Sequence, residues 1–201
     1  MKKIGLILLF TVFASGIFAT EHTLYSGKCY EYNSLLKDMI DKDFAIRYDD
    51  SENQYYLLIA DWMQSAWICL GEQDLARLRS NFEKYFEWEK LALEKSVELN
   101  KKLPNSTITT KVIWKWGDNF YSSNNFDVDF TFFSQNANLH HLVITSNKVT
   151  SSSNQFISYT IDGLYFNSNQ VKSFYKAIDA TNLKNKIDKI NENKNMEDLF
   201  N

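Results

Sequence analysis

Apolar side chains at Leu75, Leu78, Phe82, Phe86, Leu93 and Val97 recur at steps of three and four or their sum, the spacing of one helix face. The spacing predicts a helix from about Glu72 to Lys102, ended by Pro104, the only proline in the chain. Lys90 and Glu94, and Glu98 and Lys102, sit four apart on it and line its wet side. Tyr85, Trp88, Ala92 and Leu99 form a second, weaker stripe, so the apolar arc is wider than one sheet face requires. That width makes Trp88 a candidate binding residue, because the helix either touches a second half of the protein or presents apolar surface to a partner.

Upstream, the runs "DFAIRY", "QYYLLIAD" and "SAWICL" are rich in β-branched and aromatic residues and are separated by "DDSEN" and "WMQ", which predicts a three-stranded meander. Ser34 is placed to cap a short helix through Ile40. Downstream of Pro104, "TITTKVIWKW", "NFDVDFTFF", "NLHHLVITS" and "QFISYTI" are four strand candidates, and Asp162-Gly163 offers a two-residue turn into "LYF". The Lys/Asn-rich tail carries Leu183, Ile187 and Ile190 at helical spacing. The predicted class is α+β: antiparallel sheet, in one or two related units, with the long helix packed across. The expected division is residues 20–103 as a meander plus helix, 104–182 as strands plus helix sharing a core with it, and 183–201 as a polar helical or disordered tail.

The two strand-to-helix passages resemble each other. A shift of 96 places Leu70 on Phe166, Gly71 on Asn167, Asp74 on Gln170, Leu75 on Val171, Leu78 on Phe174 and Phe82 on Ile178. Gly71 and Asn167 are acceptable N-caps, with Asp74 and Gln170 three residues on. Duplication and convergent wiring both account for this, since the strands upstream do not align. A meander followed by a helix, occurring twice, resembles in element order the Whirly-type folds that bind single-stranded nucleic acid. The resemblance covers the two junctions and no binding motif.

Charge argues against that function here. Lys2 and Lys3, the apolar run Ile4 to Phe13, the small residues Ala14, Ser15 and Gly16, and then Ile17, Phe18 and Ala19 have the three-part layout of a secretory signal, residues 1–19. Its loss would take the formal net charge from −3 to −5, opposing attraction to nucleic acid or anionic membrane. The expected destination is the periplasm or the cell exterior, with no stable membrane insertion after cleavage. Cys29 and Cys69 are the only cysteines, and in an exported chain they are expected to form a disulfide.

Catalytic signals are sparse. Gly27, Gly71, Gly117 and Gly163, the glycines after residue 19, are too far apart for a phosphate-cradling loop, and no Gly-x-Ser-x-Gly elbow occurs. No cofactor is expected. His140 and His141 are strand neighbours whose imidazoles face opposite ways, so a shared metal ion is not expected. "DDSEN" starts like a calcium loop but puts Gln54 where glycine is needed, and is better read as a polar turn. Asp127 and Asp129 are a candidate carboxylate pair. Aligning Trp116 with Phe126 places Lys115 opposite Asp127, which accounts for that aspartate by an ion pair instead. The stretch "GDNFYSSNN" sets Phe120 and Tyr121 among Ser and Asn, the composition of a recognition loop.

These readings lead to an exported, non-catalytic binding or interaction protein of the bacterial envelope, acting on a protein or small-molecule ligand. The alternatives are a small envelope hydrolase using Asp127 or Asp129 with a histidine, and an inhibitor or immunity-type partner with an apolar patch along Trp88 and Leu99.

Overall fold

The computed structural model of the chain describes residues 21–198, apart from 34 and 61–63. The predicted signal at 1–19 lies outside the described residues. In chain order the elements are β1 (Glu21–Asn33), β2 (Asp38–Asp49), β3 (Gln54–Ala60), β4 (Gln64–Leu70), α1 (Glu72–Lys95), β5 (Asn100–Lys102) and β6 (Ile108–Trp116). They continue with β7 (Asn119–Asn136), β8 (Leu139–Ser146), β9 (Val149–Thr150), β10 (Ser158–Tyr159), β11 (Leu164–Asn167), α2 (Ser168–Ala177) and α3 (Ala180–Asp198).

The sheet closes on itself. Its order runs β7-β6-β4-β3-β2-β1-β11-β8, and β8 pairs back onto β7 through Val128↔Ser146 to Asn136↔Leu139, giving an eight-stranded antiparallel barrel. This corrects the expected α+β architecture: there is no open sheet with a helix laid across it. Closure depends on β1, which pairs with β2 along its length and with β11 at Tyr30↔Tyr165 and Glu31↔Leu164. The sequence hides β1 because a bulge between Thr23 and Tyr25 breaks the period-two alternation. Of the helix expected from Ser34 to Ile40, Ser34 lies outside the described residues and the rest is the end of the β1–β2 hairpin, with β2 already running at Asp38. β5 and β6 lie on the same side of β7, so they act as one strand interrupted at Pro104 and Asn105, the latter at φ 54°.

Inward positions alternate as the pleat demands. Phe126, Val128, Phe130 and Phe132 of β7, Phe44 and Ile46 of β2, and Ile68 and Leu70 of β4 join one buried cluster. Leu75, Leu78, Phe82 and Tyr85 of α1 and Val171 and Phe174 of α2 complete it. The helices start from β4 and β11, which stand four strands apart in either direction around the barrel. Both starts are capped alike: Asp74 Oδ2 accepts from the Gly71 N–H at 3.0 Å, and Gln170 Oε1 accepts from the Asn167 N–H at 2.8 Å. From opposite walls the helices converge, with Phe82 and Phe174 fully buried and 5.0 Å apart between ring centres. They plug one end of the lumen. α1 stops at Lys95 rather than near Lys102, because Ser96 takes a left-handed conformation that ends the helix, and Leu99 then bonds to Ser134.

The expected disulfide is absent: Cys29 and Cys69 are both free. Cys29 faces inward on β1 and Cys69 outward on β4, with β2 and β3 between them. Three strand spacings amount to roughly 14 Å along the sheet, twice the reach of a disulfide at about 7 Å between Cα atoms.

Candidate functional site at the hairpin end of the barrel

Along each strand the inward side chains change character away from the helices. On β2 the inward series Tyr48, Ile46, Phe44 ends in Lys42; on β1 Cys29 is followed by Glu31; on β4 Gln64 precedes Ala66 and Ile68. A recess of about 240 Å³ opens there, floored by Ile59 and Leu164 and covered on one side by Ser158–Asp162. Lys42 Nζ lies 3.1 Å from Glu31 Oε2, and the lysine side chain is only 12 % exposed. A half-buried charge so close to its counter-ion is held in place by the cost of separating them.

The covering segment is pinned in two ways. Ser146 N–H donates to the Ile161 carbonyl at 3.0 Å, and Ile161 N–H donates to Ser146 Oγ at 2.7 Å. Tyr159 stacks on Trp114 at 5.8 Å and leans on Phe126 at 5.7 Å. The recess is therefore formed before any ligand arrives. Gln64, Ser158, Thr160 and Asp162 are among the residues that line it, and their side chains make no hydrogen bond among the described residues. Cys29 lies beside this cluster, its Sγ 3.6 Å from the Lys42 carbonyl. Burial, aided by the charge of Glu31, pushes its thiol up to about 12, so it stays protonated and is a poor nucleophile.

A second recess, about 370 Å³, lies between α1 and the Pro104–Asn105 turn. It is bounded by Glu83, Lys84 and Glu87, of which Lys84 and Glu87 pair with each other at 2.6 Å on the surface. It lacks the half-buried ion pair and the fixed cover of the first.

The residues singled out in the sequence are dispersed. Phe120 and Tyr121 lie within strand β7, not in a loop: the β6–β7 hairpin turns at Gly117 and Asp118 and pairs Trp116 with Asn119. The expected alignment of Trp116 with Phe126 is thereby corrected, and Lys115 stands opposite Phe120 rather than Asp127. Tyr121 faces inward, 6.0 Å from Trp114, while Phe120 is 39 % exposed and leans on Trp67. Trp88 is half-buried against Phe132 at 6.0 Å, towards the opposite end.

Asp127 accepts from Thr109 Oγ1 at 2.5 Å. Asp129 accepts from Thr107 Oγ1 at 2.6 Å and pairs with Lys102 Nζ at 2.7 Å. Burial works against ionisation of Asp129, but the Lys102 and Thr107 bonds outweigh it and hold the carboxyl below its usual range. Asp129 pairs with Thr145, four residues along β8 from His141, a separation of about 13 Å. His140 Nδ1 lies instead 2.9 Å from Ser134 Oγ, and its ring stacks on Phe132. His141 points to the outer face, between Phe133 and Tyr165, where burial and then the neighbouring His140 lower its pKa. The aspartates and histidines are thus not brought together. Asp49 folds "DDSEN" into a polar turn, its Oδ1 accepting from Ser51 N–H and Ser51 Oγ–H.

Sequence reasoning missed Glu31, Lys42, Gln64 and Asp162. The available signal was phase: Lys42 falls in step with Phe44 and Ile46, a charge on the face that alternation assigns to the core. Among the described residues no group of three or more His, Cys, Asp or Glu is placed to hold a metal ion. Compared with family models, curated protein sequences and solved structures, the chain matches none of them.

Proposed function

We propose that this chain is an exported, non-catalytic binding protein of the bacterial envelope that holds a small polar ligand in the recess at the barrel mouth. The observation that carries the reading is a recess with a fixed cover, lined by four polar side chains that have no hydrogen bond among the described residues. An eight-stranded barrel has room for side chains or for one small ligand. Here aromatic rings occupy most of that room, and 240 Å³ is smaller than the roughly 300–1,000 Å³ of drug-sized sites. Among the described lining residues Glu31 and Asp162 carry negative charge and Lys42 positive, so neutral polyhydroxylated molecules and small cations suit the recess better than anions. Tyr121 lies inward beside Trp114, the ring on which Tyr159 of the covering segment stacks.

The test is a thermal-shift screen of sugars, polyols, amines and amino acids against the wild type, Gln64→Leu and Asp162→Asn. A ligand that raises the wild-type midpoint and loses most of that effect in either variant supports the reading. Ligands that act equally on all three proteins, or none at millimolar concentration, refute it.

A partner protein of the inhibitor or immunity type is the second reading. It draws on the apolar strip where α1 ends: Leu91, Leu93, Val97 and Leu99 are all exposed, next to half-buried Trp88.

A further inference from the structure

The most exposed large apolar side chains of one element lie at the far end of the β1–β2 hairpin. Leu35 is 92 % and Leu36 69 % exposed, with Tyr32 at 53 % and Met39 at 36 %. The turn that projects them is built: Asn33 Oδ1 accepts from the backbone N–H groups of both Leu35 and Leu36 at 3.0 Å, and Lys37 takes a left-handed conformation at φ 54°. Two leucines held outward in this way contribute nothing to the barrel core.

We propose that this hairpin tip dips reversibly into the interface of an electrically neutral phospholipid bilayer, Leu35 and Leu36 entering first. Three features select a lipid surface over a protein. The first is size: four side chains of this kind bury on the order of 400 Å² at most, half of the roughly 800 Å² per partner that a stable protein interface uses. A second copy of the chain is thus not held by this patch alone.

The second is the order of residues with depth. The leucines stand at the tip, and Tyr32 and Met39 sit about 10 Å back at strand spacing. Lys37 and Asp38 lie between the leucines and Met39, where polar headgroups would meet them, and further back Lys28 pairs with Asp41 at 3.0 Å and Lys42 with Glu31. Peripheral anchors enter about 5–10 Å into the headgroup boundary, and tyrosine settles at headgroup level. The third is charge balance. Lys37 is followed by Asp38, and Lys28 is matched by Asp41, so the tip carries no excess that would seek anionic lipid. The contact is shallow and spans nothing. Among the described residues no helix is long and apolar enough to cross a membrane.

The test is vesicle flotation with the protein in the N-terminal form its host leaves. It compares phosphatidylcholine vesicles with phosphatidylcholine–phosphatidylglycerol vesicles. Wild type floats with both to the same extent. Leu35→Asp/Leu36→Asp lowers the bound fraction about a hundredfold, keeping its circular dichroism because the replaced side chains are exposed. Leu91→Asp, at the other exposed strip, floats like wild type. The added emission of Tyr32→Trp over wild type is quenched by brominated phosphatidylcholine.

Four results would overturn the proposal. They are no flotation of wild type, flotation only with phosphatidylglycerol present, equal flotation of the double variant, or equal loss in Leu91→Asp. A wild-type dimer in light scattering that the double variant abolishes, without vesicle binding, would assign the tip to a second copy instead.

Discussion

Phe82 of α1 and Phe174 of α2 meet 5.0 Å apart, at the point where two helices launched from opposite walls of the barrel converge. Phe174 also lies 4.9 Å from Phe44 and 6.0 Å from Tyr25, so one ring bridges the helical plug and the strands β1 and β2.

Phe174→Ala therefore leaves a cavity bounded by strands and helices that are fixed elsewhere. Urea unfolding followed by fluorescence should show a loss of about 3–5 kcal/mol. Phe120→Ala, at a partly exposed outer site, should cost well under half as much.

The thiols give a second prediction. Burial pushes Cys29 up to about 12 and Cys69 up to about 11, and their strands hold them apart. Native protein should react with a thiol reagent at neutral pH far more slowly than protein in denaturant, and two thiols should titrate once it unfolds. The thermal midpoint should be the same with and without reductant.

His141 supplies a pH dependence. Its pKa is lowered in the folded state, first by burial, whereas in the unfolded chain it returns to about 6.5. Below that value the unfolded state binds a proton that the folded state does not, so this residue lowers stability as pH falls from about 6.5 towards the folded pKa. Denaturation midpoints measured between pH 7 and pH 5 should decline less in His141→Phe than in wild type. A proton NMR titration should place the His141 ring below the histidine of the unfolded chain.

Gly27 supplies a steric test. A Cβ there would sit 2.9 Å from the Phe44 ring and from the Tyr25 hydroxyl. Gly27→Ala should destabilise by about 1–3 kcal/mol through overpacking, read as a lower midpoint at unchanged denaturant slope.

What the sequence makes legible is local. The stripe Leu75, Leu78, Phe82 announces α1, and the matched caps at Gly71 and Asn167 announce two like junctions, because each signal is complete within a few residues. Closure is carried by pairings between distant segments, such as Tyr30 with Tyr165, which no periodicity encodes. The polar stretch after Gly117 reads as a loop, yet it pairs residue by residue with β6, since hydrogen bonding between neighbouring strands does not require apolar side chains. The recess was hidden for a related reason. Glu31, Lys42, Gln64 and Asp162 come from four separate segments, and apart from the phase of Lys42 they look like ordinary surface residues until the barrel turns three of them inward.

The adjacency of β1 and β11 sets an order of events in time. A strand near the start of the described chain waits for one well over a hundred residues later, so the circle cannot be completed until β11 has emerged, whether from a ribosome or through a membrane pore. Until then the chain remains threadable, and its two unmatched borders vanish only when the last hairpin arrives.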